Sequence, residues 1–414
     1  MIGLACGRFD VAVIGVPLAA GVAWGWITRP RGALGVERGG LIRGPEPGDL
    51  SAPIDLVTPW GTDAVHLRVL APGYRTTDLL LAAGTRQIRP SITTVRTGRM
   101  ELFPLDALGL GIDGVTRSEP VERGPLRLTL LPRVRPLTEM PLPFRLQGLT
   151  GGHGSPRIGD GGDLRDVNVF SPGDRLRRID WRVTSRRAGQ NSTPAHPGRI
   201  TDLYVRRTFA VADATIMLVI DSRDEVGTMV SSWGDPAAPR HDQVTSLDLT
   251  REAAASVARQ YLELGDRVGL QDLGRSRARI APAGGRRQLH RLTQGLARSE
   301  PEGEPVSRVR APTLPSGALV VIFSTFLDDQ PSLLARLWRH SGYRVIAVDI
   351  LPTLDSTDLT EIRRVAFTLL QLEREDRLAE LHDVGIELVR WQTDPLDPTP
   401  QMQWIGIARK ERRR

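Results

Sequence analysis

Between Ser171 and Arg187 the sequence SPGDRLRRIDWRVTSRR sets six arginines, Asp174, Asp180 and Trp181 behind a Pro-Gly turn. Guanidiniums at that density have two uses. Left exposed, they bind phosphates or carboxylates; alternated with aspartates and the apolar Leu176, Ile179 and Trp181, they can be consumed in internal ion pairs. Covalent chemistry has weaker footing. No Gly-x-Ser-x-Gly elbow occurs, Cys6 is the only cysteine, and the seven histidines show no His-x-x-His spacing. These absences argue against a serine hydrolase, a zinc enzyme and any cysteine metal cage.

The charge balance adds little to the phosphate reading. The chain carries a formal +7, with Lys410 its one lysine and with Ala, Gly and Pro abundant, a pattern that a GC-rich genome produces without building a binding face. Aromatic residues make up 5%, and most lie inside apolar runs, so stacking platforms for bases are scarce. Nucleic acid is an unfavoured partner.

The elements that must position the arginine segment begin with a membrane candidate. Val11 to Thr28, VAVIGVPLAAGVAWGWIT, is uncharged, and as a helix it would be roughly 27 Å long, about the thickness of a bilayer core. Trp24 and Trp26 stand where an interfacial belt would be, and arginines at 29, 31, 38 and 43 follow while only Arg8 precedes. The positive-inside rule then places the bulk of the chain in the cytoplasm. A signal peptide fits less well, because the tryptophans and Arg29 occupy the place of a small-residue cleavage site.

From about Gly48 to Pro132 short alternating runs recur, AVHLRVL, RPSITTV and PLRLTLLP, which predict a small β-sandwich. The stretch GLTGGHGSPRIGDGGD, 148 to 163, predicts a flexible loop whose glycines are too irregular to cradle phosphate. After Thr208 strands and helices alternate. ATIMLVID, ALVVIFS and YRVIAVDIL are apolar throughout, as expected of strands buried on both faces, and helices are predicted over 246–264, 286–297, SLLARLWRHS and REDRLAELHDVG. The prediction is an open, mostly parallel sheet with helices on both faces, a fold that binds ligands at its strand carboxyl ends.

The stretch DLRDVNVFSPGDRLRRIDWRVTSRRA, Asp163 to Ala188, resembles the central signature of the domain of unknown function 58 family, with Arg165, Gly173, Asp174, Arg178, Asp180, Trp181 and Arg186 as its signature residues. Further matches are Asp106 to Leu110, Gly265 to Leu270, and Gly284-Gly285 before Gln288-Leu289. The resemblance implies an N-terminal membrane anchor, a β-rich insertion and a von Willebrand factor A-like domain. It also implies a non-enzymatic binding role beside AAA+ ATPases of the MoxR type and their client proteins. The resulting division is 1–30 anchor, 45–135 sandwich, 136–207 linker and signature segment, 208–395 A-like domain and 396–414 basic tail.

A-like domains often hold magnesium through an Asp-x-Ser-x-Ser at the first strand end, completed from two later loops, since hard oxygen ligands suit that ion. Here Asp221 is followed by Arg223 and Glu225 in the serine positions, and Ser324-Thr325 stands where Ser-Asp would be. The expectation is a degenerate site with no cofactor, in which Arg223 pairs with Asp221 and replaces the ion's charge. The alternative is a cation held by Asp221, Asp224 and Glu225, giving metal-dependent adhesion-type binding. For the arginine segment the expected state is a brace: Asp174 caps a short helix, Ile179 and Trp181 insert beneath it, and Asp180 holds Arg178, Arg182 or Arg186. Its alternative is a basic docking face for an acidic partner or nucleic acid.

Overall fold

The computed structural model describes residues 7, 9–46, 48–71, 75–114, 116–144, 146, 153–172, 174–190, 202–233, 243–275, 278–302, 311–391, 394 and 396–412. They form two compact units, 1–131 with 226–248 and 354–358, and 132–225 with 249–353 and 359–414.

The first unit opens with α1 (Phe9–Ile27), which covers the expected anchor stretch except for Thr28 and keeps Pro17 inside it. Val13, Ile14, Val16, Leu18, Val22, Trp24 and Trp26 are all exposed on it. Among the described residues no helix is long and apolar enough to cross a membrane, so the expected anchor is supported as a helix and not as a span. Twelve short strands follow: β1 (Gly35–Arg38), β2 (Ile42–Arg43), β3 (Asp49–Ser51), β4 (Ile54–Val57), β5 (Ala64–Ala71), β6 (Arg75–Ala82), β7 (Arg86–Ile88), β8 (Ser91–Thr93), β9 (Gly98–Leu102), β10 (Leu105–Leu110), β11 (Val121–Arg123) and β12 (Leu126–Leu130). They pair antiparallel in four small sheets, the largest ordered β11-β10-β5-β6. The period of two predicted from AVHLRVL holds. Val65, Leu67 and Val69 point into one apolar core with Ile54, Leu102 and Leu105, while His66 and Arg68 point outward to Asp78.

The second unit holds a long hairpin of β13 (His153–Val169) and β14 (Tyr204–Ala212), joined through α2 (Trp181–Gln190). The loop expected over 148–163 is corrected from His153 onward, where the backbone is strand; residues 147–152 lie outside the described ones. Glycine runs lose their turn character when a partner strand is present. Here Gly159 and Leu164 both face Thr208, so the intervening residues bulge out of the ladder.

The remaining strands are β15 (Thr215–Ile220), β16 (Arg267–Asp272), β17 (Arg279–Ala283), β18 (Leu319–Ser324), β19 (Arg344–Asp349) and β20 (Glu387–Arg390). They form one sheet ordered β17-β16-β15-β18-β19-β20, parallel except for the edge strand β17. Around it are α3 (Ser246–Glu263), α4 (Arg286–Ala297), α5 (Asp329–His340), α6 (Glu361–Asp383) and α7 (Thr399–Arg412). Met217 and Val219 meet Leu334, Trp338 and Leu381 from α5 and α6, while the alternate Ile216, Leu218 and Ile220 are equally buried. Both faces are therefore covered, which is why these strands lack alternation. Within the basic tail expected at 396–414, residues 399–412 form α7, anchored by the buried Trp404 and Ala408, and residues 413–414 lie outside the described ones.

Candidate functional site

Four parallel strands deliver polar side chains to one edge of the sheet. β15 runs into Asp221, β16 ends at Asp272, β18 at Ser324 and β19 at Asp349. Each polar group comes directly after an apolar strand because the strand's core contacts stop there.

Arg223, 4% exposed, lies in the middle of this edge. Its Nε and Nη2 donate to Oδ1 and Oδ2 of Asp221 at 2.8 and 2.9 Å, and its Nη1 and Nη2 donate to Oδ2 and Oδ1 of Asp328 at 2.7 and 2.9 Å. Both carboxylates are thus gripped in the two-pronged geometry that guanidinium favours. Burial opposes the charge on Arg223, but the bonds to Asp221 and Asp328 outweigh it and hold its pKa above the ordinary arginine value. The Ser324 hydroxyl donates to Asp221 Oδ2 at 3.0 Å, and the backbone N–H of Phe326 donates to Ser324 Oγ at 3.1 Å. Phe326 adopts a left-handed φ of 55° while its ring is fully buried. Such a backbone costs about 1–3 kcal/mol and persists here because the core holds the ring.

Thr325 contributes its carbonyl, which accepts from Arg374 Nε at 2.7 Å, and Arg374 also pairs with Asp349. Arg377 joins Asp329 and donates to the Leu327 carbonyl at 3.1 Å. Three arginines thus clasp the loop that follows β18. Asp224 is exposed, and the protein around it, then the charge of Asp221, push its carboxyl up; Glu225 is half-buried. A second polar cluster lies alongside, where Asp272 accepts from the Ser222 hydroxyl at 2.5 Å and the Gly274 N–H at 2.9 Å. Burial, with a smaller push from Asp221, raises the Asp272 carboxyl to about 6 despite those bonds.

This donor set does not fit a magnesium ion. An octahedral cation needs oxygen ligands with free lone pairs, and the oxygens of Asp221 and Asp328 face a guanidinium whose positive charge would repel the ion. No cluster of three or more His, Cys, Asp or Glu residues suited to a metal occurs among the described residues.

The signature segment is built differently from the expected brace. Asp174 does not cap the short 3-10 helix Leu176–Arg178; it accepts from the Ser171 N–H at 2.9 Å and from Arg207 Nη2 at 3.0 Å, with Arg178 adding its charge. The Arg207 bond holds the Asp174 carboxyl below its ordinary value. Asp180 caps α2, accepting from the N–H groups of Arg182 and Val183, both at 3.1 Å. Its other oxygen pairs with Arg206 at 2.8 Å, not with Arg178, Arg182 or Arg186. The Val183 bond is the chief reason that the Asp180 carboxyl also lies low.

The larger correction concerns Trp181, which is 61% exposed, and Leu176, 68% exposed. Trp181 opens α2, and the inward positions of that turn are taken by Thr184, fully buried, whose hydroxyl accepts the Tyr204 N–H at 3.0 Å. A three-residue offset on a helix places Thr184 roughly 60° from Trp181, enough for one to face β14 and the other solvent. Arg187 lies over the Tyr204 ring at 4.9 Å, and Arg186 is exposed. Arg165 lies on β13 with its side chain outside the described residues, as is Gly173.

Several working residues had no advance signal as members of a set: Asp272, Asp328, Asp349, Arg374, Arg206 and Arg207. The findable ones were Asp272 and Asp349, each the first charge after an apolar strand. The family model described as Protein of unknown function DUF58 matches residues 166–367, from the signature segment into α6. No curated protein and no solved structure gives a match.

Proposed function

We propose, from the match of residues 166–367 to the DUF58 family model, that this chain is a non-enzymatic, membrane-tethered binding protein whose parallel-sheet unit engages an AAA+ ATPase of the MoxR type and its client proteins. The carrying observation is Arg223, fixed between Asp221 and Asp328 at the strand ends where such sheets present ligands. In the A-like reading a cation at this edge would complete its coordination on the partner. A built-in guanidinium supplies the same positive charge without open coordination positions, so recognition rests on protein surface alone. A catalytic reading has less support. His66 pairs with Asp78 and His340 with the Arg336 carbonyl, and neither arrangement activates a nucleophile. The exposed apolar surface of α1 supports the tether, since such a surface is covered by lipid or protein in the cell.

The test is binding of the full chain, in detergent micelles, to a purified MoxR-type ATPase from the same cells. Binding unchanged by EDTA and by added magnesium, apart from the ATPase's own nucleotide requirement, is the expected outcome. Failure to bind, or binding that the chelator abolishes in the absence of nucleotide, defeats the proposal.

A further inference from the structure

On the reading that this chain binds another protein, we infer that Leu176 to Arg186 is a docking face and that its occupant is an acidic segment of the partner carrying an aliphatic or aromatic residue between its carboxylates. The face is apolar and basic at once. Leu176 and Trp181 are the exposed apolar side chains, and Arg177, Arg182 and Arg186 are exposed with no side-chain partner among the described residues. Arg182 and Arg186 are four residues apart, hence on one face of α2, where like charges repel unless an anion joins them. Tryptophan and arginine are also the residues that most often carry binding energy at protein interfaces.

The scaffold under these side chains is pinned. Ile179 bridges Val205, the Asp180 N–H donates to the Tyr204 carbonyl at 2.8 Å, and the cap at Asp180 fixes the first turn of α2. A face held in place loses little entropy on binding. The segment's own aspartates are consumed by β14, Asp174 by Arg207 and Asp180 by Arg206, so its outward charge is positive. An ion pair supplied by a neighbouring strand thereby sets the sign of the surface.

A carboxylate-bearing peptide suits this face better than nucleic acid does. Base stacking uses several aromatic platforms in succession, and Trp181 is the one exposed aromatic side chain between Ser171 and Arg187. A peptide can place its carboxylates opposite the guanidinium forks and its apolar residue on Trp181.

The probe is a fluorescein-labelled synthetic peptide of repeating Glu-Glu-Leu, titrated against the full chain in detergent micelles and followed by anisotropy. Saturable binding is expected, with Trp181→Ala weakening it about fivefold and Arg182→Gln with Arg186→Gln weakening it about tenfold. All three sites are exposed, so the melting temperatures should stay with that of the unmodified chain. The same peptide with lysine for glutamate should not bind. The inference is overturned by absence of saturable binding, by equal affinity in the variants, or by oligothymidine or phosphatidylglycerol vesicles binding more tightly with the same sensitivity to these substitutions. Failure here with retained ATPase capture removes the docking face and leaves the binding role standing. Peptide binding without ATPase capture removes only the proposed ATPase.

Discussion

The second unit uses arginine–aspartate pairs in two settings. At the strand ends, Arg223 is sealed between Asp221 and Asp328, and its charge cannot reach water. In the signature segment, Asp180 pairs with the mostly exposed Arg206 at the surface of a hairpin, and Asp174 with the part-buried Arg207 beside it. Identical chemistry therefore has different consequences. Buried, the pair must be kept or replaced as a whole, because losing one partner strands a desolvated charge. Exposed, the pair contributes little energy but decides which charges a surface shows.

The strongest test of that contrast is Arg223→Met, which keeps volume and removes charge. Asp221 then keeps only the Ser324 hydroxyl and a long bond from the backbone N–H of residue 223, while the half-exposed Asp328 is rehydrated. The expected loss is about 3 kcal/mol, the lower end for a broken buried pair because one of the two carboxylates escapes to water. Urea unfolding at neutral pH measures it. Adding Asp221→Asn to Arg223→Met should recover much of the loss, and an additive double variant would show that the pair is not coupled.

The neighbouring Asp272 sharpens the same point with pH as the variable. Its folded pKa, raised by burial to about 6, lies above the value of an unfolded aspartate. Between about pH 4 and pH 6 the folded state keeps a proton that the unfolded state has released, so stability from this group is present below that window and lost as pH rises through it. The change amounts to about 3 kcal/mol at most. Asp272→Asn keeps an acceptor for Ser222 and Gly274 but does not titrate. Its stability relative to the unmodified chain should rise from pH 4 to pH 7; a flat difference would show that folding does not raise the Asp272 pKa.

The sheet was legible because buried parallel strands announce themselves as unbroken apolar runs, and β15, β18 and β19 fall where those runs lie. The N-terminal half of α6 was not. Ile362, Val365, Leu369 and Leu372 carry helical spacing but stand exposed on the helix, so no core pattern framed it, and only the anchored half around Leu378 and Leu381 stood out. At the candidate site the first-strand residues Asp221 and Arg223 were findable from their neighbours in sequence. Asp328, 105 residues from Arg223, was not, because a pairing across two crossovers leaves no local spacing. In the signature segment composition suggested ion pairing, yet the partners came from β14, and Trp181 looked buried because hydrophobicity was taken for burial. Large aromatic residues are usually inside, so the exception carries information that composition alone cannot supply.

The smallest expected effects distinguish the parts of the exposed setting from one another. Asp180→Ala removes the oxygen that accepts two N–H bonds at the start of α2 and frees Arg206, whereas Arg187→Ala removes one guanidinium from the face of Tyr204 and a bond to its hydroxyl at 3.3 Å. A helix cap fixes backbone that the whole helix depends on, while a ring contact at an exposed arginine is worth about 0.5–1 kcal/mol. Asp180→Ala should therefore lower the melting temperature more, and Arg187→Ala by about 2 °C or less for a chain of this size. Asp180→Asn separates the two functions of that carboxylate, since asparagine caps well but cannot pair with Arg206. If Asp180→Asn melts with the unmodified chain, the cap carries the stability and the ion pair serves the surface; if it melts with Asp180→Ala, the Arg206 pair carries it and the division drawn between buried and exposed pairs fails at this residue.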